Sequence, residues 1–152
     1  SGTVKATTSG TSHDFTGIPS WAKRITILLS EVSLSGTNFI TVLIGTAGAV
    51  EVTGYTSAFV LLTNATGVTV ASTNTEFVIG GGVAAGLYSG SVVLSLIDTN
   101  TWVCSSSVSR TAGDTVRITN GQKPLAGILD IVRLGISGAD TFDGGKVNIL
   151  YD

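Results

Sequence analysis

A histidine, a cysteine, ten acids and two tryptophans are the residues of this 152-residue chain whose chemistry deserves a first look. His13, followed by Asp14, is the single histidine, so no second imidazole exists to relay a proton or complete a zinc site. No Gly-x-Ser-x-Gly elbow presents a nucleophilic serine. Cys104 is the single cysteine, which excludes an internal disulfide, and it reads as a small buried strand residue rather than a nucleophile. Glycoside hydrolysis would need only two carboxylates at a set separation, yet no acid sits in an aromatic-flanked cluster. Asp140-Thr141-Phe142-Asp143-Gly144-Gly145 holds oxygens that calcium accepts, but Asp-Gly is also what a turn into a last strand needs. Gly80-Gly81-Gly82 lacks the following Gly-Lys-Ser/Thr of a phosphate loop and reads as a strand-to-strand turn. No catalytic residue, metal or cofactor is expected.

The aromatic residues are the better binding candidates. Trp102 follows the turn Asp98-Thr99-Asn100, and Tyr88 opens the strand expected to pair with it. A tryptophan exposed beside Asp and Asn would stack on a sugar face while the polar groups bond its hydroxyls. Trp102, Tyr88, Asp98 and Asn100 therefore form the candidate carbohydrate site. The alternative is that Trp102 faces the core or a subunit interface. Trp21, after Ile18-Pro19-Ser20, is expected to anchor one end of the domain. Asn64-Ala65-Thr66 is a formal glycosylation sequon, relevant only in a eukaryotic secretory setting.

These residues must be positioned by strands. Arg24 to Leu29 alternates with period two, placing Ile25, Ile27 and Leu29 on one face. Val32 and Leu34 have the opposite parity, which predicts a bulge near Ser30-Glu31. Phe39 to Ile44 and Phe59 to Leu62 are apolar on both parities, as strands covered on both sides would be. Val68 with Val70, Phe77 with Ile79, and Val116 with Ile118 mark further strands. Tyr88 to Ile97 and Thr101 to Val108 form a hairpin through Asp98-Thr99-Asn100. In Ile128 to Ile136, Asp130 shares parity with Ile128, Val132 and Leu134. Val147, Ile149 and Tyr151 mark the final strand. A 3.6-residue apolar period nowhere persists for three turns, and helix is expected for at most a turn or two, around Ser20-Trp21-Ala22. The fold expected is all-β: a two-sheet antiparallel β-sandwich, jelly-roll-like, over residues 12–152, with residues 1–11 as a linker or lead-in.

Composition narrows the class. Only 12% of residues are charged, against about 25% in an average soluble domain, and Ser, Thr, Gly and Asn replace them. Such a surface desolvates cheaply and suits packing against copies of itself. The net charge of -2, without a basic run, lacks the footprint of a nucleic-acid binder. The apolar stretches Phe39 to Ile44 and Val83 to Leu87 are too short to insert in a membrane. The chain has no methionine, which predicts that it is a processed or excised part of something longer.

Two stretches carry a family resemblance. Residues 11–26, TSHDFTGIPSWAKRIT, and residues 125–134, LAGILDIVRL, with 140–151, DTFDGGKVNILY, resemble the C-terminal β-sandwich modules of tailed-phage tail fibres and tailspikes. Residues 90–96 and 100–103 look like the same pattern, so the resemblance spans nearly the whole chain from Thr11. It departs at Ile131, where the pattern has a charged residue. It implies a homotrimeric, non-catalytic module of the virion that assists trimer assembly or contacts host-surface polysaccharide. A virion decoration or capsid-associated β-sandwich is the alternative, and a carbohydrate-active enzyme ranks third. In a trimer, Asp130 and Arg133 would need partners, since buried charges are almost always paired.

Overall fold

The computed structural model describes residues 1–64 and 67–152. It consists of strands and turns, with no helix among the described residues. The first six strands are β1 (Lys5–Ala6), β2 (His13–Thr16), β3 (Arg24–Leu34), β4 (Phe39–Thr46), β5 (Ala49–Val50) and β6 (Thr56–Thr63). They are followed by β7 (Gly67–Thr73), β8 (Phe77–Gly81), β9 (Tyr88–Leu96) and β10 (Thr101–Arg110). The last three are β11 (Thr115–Pro124), β12 (Leu129–Ile136) and β13 (Phe142–Tyr151).

Two antiparallel sheets pack face to face as a β-sandwich. One has eight strands in the order β1-β13-β3-β9-β10-β11-β6-β7. The other runs β2-β12-β4, with β5 and β8 both paired to β4. Between them lie Ile25, Ile27, Ile40, Ile44, Phe77, Leu94, Leu134 and Ile149, all essentially without solvent contact. Each such side chain contributes about 2 kcal/mol relative to an exposed one. Crossovers from β3 to β4 and from β12 to β13 carry the chain between sheets, whereas β9, β10 and β11 meander within one.

The phase slip in β3 is where its alternation places it. Leu29 pairs with Gly90 and Val32 with Tyr88, so Ser30 and Glu31 face the single residue Ser89 and β3 carries one extra residue there. Glu31 takes a left-handed φ of 53°, and its N–H donates to Ser89 Oγ at 2.9 Å. Val32 and Leu34 are thereby returned to the core beside Ile25, Ile27 and Leu29.

Four expectations need correction. The opening segment is not a free lead-in: β1 pairs with β13, Gly2 N–H donates to Ile149 O at 2.7 Å, and Thr7 is fully buried. Ser20-Trp21 form a turn without helix. Trp21 does not anchor the end of the sandwich; it is 61% exposed and leans on Tyr151 with ring centroids 5.8 Å apart. Lastly, β6 is not covered on both sides, since Leu62 is exposed and Val60 only half-buried.

Candidate functional site

The four residues of the expected carbohydrate site do not form one surface. Tyr88 pairs with Arg110 at one end of the β9–β10 hairpin, and Trp102 pairs with Leu96 at the other. Eight residues of strand separate them, about 26 Å at the usual rise. Both rings face inward: Trp102 is 3% exposed and Tyr88 is equally buried, so neither can stack on a sugar. The cause is parity, because Trp102, Cys104 and Val108 share the inner face of β10. Trp102 Nε1 is buried without a hydrogen-bond partner among the described residues.

Asp98 and Asn100 shape the turn itself. Asp98 Oδ1 accepts from Thr101 N–H at 2.8 Å and from Asn100 N–H at 3.1 Å, which holds its carboxyl below the usual range. The Asn100 carbonyl accepts from Leu125 N–H at 3.1 Å. Asp98, Thr99 and the Trp102 side chain line a small cleft of about 250 Å³ with Lys23 and Ile128.

The other residues singled out by chemistry have structural partners. His13 lies on β2 against Phe142, ring centroids 4.9 Å apart, and burial lowers its pKa. Cys104 is fully buried, and desolvation pushes its thiol up to about 12. Asp140 Oδ2 accepts from Asn38 N–H at 2.8 Å and ties two loops together, whereas Asp143 accepts from the Ser33 hydroxyl and joins β13 to β3. No group of three or more His, Cys, Asp or Glu able to hold a metal occurs among the described residues. Arg133 pairs with Asp14 in the same chain at 2.6 and 2.8 Å, and Asp130 accepts from Gly48 N–H at 3.1 Å. Neither charge needs a second subunit to satisfy it. Of the sequon, Ala65 and Thr66 lie outside the described residues.

What distinguishes the molecule is the β11–β6–β7 end of the large sheet. Cross-strand register sets Ser107, Ile118, Val60 and Val70 in one outward row. Ser109, Val116, Leu62 and Val68 form the next. Val68 is 64% and Val70 71% exposed, and Leu62 and Ile118 are exposed as well. On β9, β10, β11, β6 and β7 no outward position carries a charge; Ser, Thr, Ala, Val, Ile, Leu, Asn, Gln and Pro fill them all. β7 ends the sheet, and its sequence GVTVAST has neither the charge nor the proline that usually guards an edge.

The inner face of the same strands is polar where a core is expected. On β11 the apolar Val116 and Ile118 point out, while Arg117, Thr119 and Lys123 point in and are buried. Lys123 pairs with the Glu51 carboxylate and donates to Pro124 O at 2.5 Å. Burial opposes ionisation of Glu51, but the bonds from Lys123 and Ala126 N–H outweigh it and lower its pKa. Thr119 Oγ1 donates to Val78 O at 2.6 Å. Arg117 Nη1 donates to Gly80 O at 2.8 Å, and its guanidinium lies 4.6 Å from the Phe59 ring centre and 5.0 Å from that of Phe39. Beside it, under the overhang of β6 and β7, is a cavity of about 720 Å³. Sequence reading missed Arg117; the available signal was a lone cation set between two outward aliphatic residues.

The chain matches no protein-family model, and a search of curated proteins finds no match to it.

Proposed function

We propose that this domain is a non-catalytic assembly and adhesion module that associates with copies of itself through the β6–β7 end of its large sheet. The observation that carries the reading is the charge-free outer face of five adjacent strands, ending on the unguarded edge strand β7. Isolated exposed valines are ordinary, but two aligned aliphatic rows beside unpaired backbone groups form a template for a further strand or sheet. A second copy is the occupant that fits. It offers the same uncharged rows, so an isologous or cyclic contact buries no unpaired charge. Together with the resemblance to tail-fibre and tailspike modules, this favours a homotrimer in a phage virion, displayed where it meets the host surface. Recognition of host polysaccharide would then fall to clefts or loops other than a Trp102 stacking platform.

The test is the double variant Val68→Lys/Val70→Lys. Both side chains are exposed in the single chain, so its circular dichroism is expected to match that of the unmodified protein. Self-association, read by chemical cross-linking and sedimentation, is expected to fall sharply. An oligomer unaffected by both lysines would overturn the assignment of this surface.

A further inference from the structure

Arg117 is the one buried cation with no carboxylate partner among the described residues. The contrast within the molecule is direct: Lys123, six residues along the same strand and equally buried, has Glu51, while Arg110 has Asp114 and Arg133 has Asp14. A buried charge left unpaired costs several kcal/mol. Two phenyl faces and one carbonyl recover part of that, yet Nε, itself closed off from solvent, has no hydrogen-bond partner among the described residues. Nη1 is taken by Gly80 O, which leaves Nη2 as the nitrogen through which a carboxylate would accept a charge-assisted bond. Gly82, left-handed at φ 100°, lies beside it: a Cβ there would stand 4.0 Å from Nη2 and 3.5 Å from Phe39 Cε1.

The cavity beside this guanidinium is lined mainly by apolar groups, among them Leu61, Ala71, Val78 and Val83, together with Phe39 and Phe59. Its volume falls within the range of small-molecule sites, which combine an apolar lining with a few fixed polar groups. Glu76 is the single carboxylate on the lining and makes no ion pair with Arg117. Its charge disfavours dianions and polyphosphates and leaves room for a single negative charge.

We infer that this cavity binds a small organic monocarboxylate, whose carboxylate pairs with Nη2 of Arg117 and whose apolar body fills the space between β6, β7 and β8. The site is independent of the assembly surface, because Arg117 and Ala71 face inward whereas Val68 and Val70 face outward.

Octanoate, 1-octanol and octylamine are suitable probes, titrated by calorimetry into the full chain in its native assembly state. Octanoate is expected to bind saturably at one site per chain and to shift the Arg117 Nε–H resonance. The alcohol and the amine are expected to bind at least about tenfold more weakly, as loss of a charge-assisted hydrogen bond requires. Arg117→Met should remove the preference for octanoate. Ala71→Phe, which keeps the cation but fills the cavity, should abolish binding and serves if the Met variant does not fold. Equal binding of octanoate and octanol, no binding of any probe, or an undiminished octanoate preference in Arg117→Met would overturn the inference.

Discussion

Asp14 and Arg133 stand directly opposite each other on the paired strands β2 and β12, joined by two parallel N–H···O bonds of 2.6 and 2.8 Å. The hydrogen bond from Arg133 is the main reason that the Asp14 carboxyl titrates below its ordinary value. A carboxyl whose folded pKa is depressed contributes stability that is complete above the unfolded pKa and is lost as pH falls through the folded one. Asp14→Asn should therefore destabilise the domain near neutral pH by about 0.5–1 kcal/mol, small because the pair is partly screened by solvent. In strong acid the difference should vanish. Urea denaturation of both proteins at the two pH values checks this, and a gap that widens in acid would refute the assigned sign.

The two tryptophans should behave as opposites. Trp102 is enclosed by the core and Trp21 is open to water. Trp21→Phe is expected to leave a blue-shifted emission that resists iodide quenching, and Trp102→Phe a red-shifted one that iodide quenches readily. Trp102→Ala should cost about 3–5 kcal/mol in stability through the cavity it leaves. Host polysaccharide should leave Trp102 emission unchanged; a saturable change would restore it as a sugar-binding residue.

Gly145 faces the β3 bulge. Its φ is 88°, and a Cβ there would lie 2.4 Å from the Glu31 carbonyl oxygen. Gly145→Ala must both strain the left-handed backbone and push apart two paired strands, so a loss of about 2–4 kcal/mol is expected. Glu31→Gly relaxes the other left-handed residue of the bulge and should be close to neutral. Thermal denaturation of the two variants separates them.

Some of this architecture was legible in the sequence and some was not, for physical reasons. The alternation of Ile25, Ile27 and Leu29, and its slip at Ser30-Glu31, fixed one strand and its bulge because a core covers that face continuously. Asp98-Thr99-Asn100 announced its hairpin because the carboxylate caps two N–H groups locally. The docking of Lys5–Ala6 on β13 was hidden, since two residues carry no period. β11 misleads for a different reason. Its apolar residues point out and its cations point in, so a rule that sends Val and Ile to the core selects the wrong face. What sets that face is the register with β10 and β6, information that lies in other strands. Both the surface proposed for assembly and the Arg117 cavity sit at this inverted strand, which is why neither was visible beforehand.

Solution mass by light scattering, over a wide range of protein concentration, bears most directly on self-association through β6 and β7. A concentration-independent species of three times 15.4 kDa, about 46 kDa, is expected. A mass of 15.4 kDa at every concentration would contradict it.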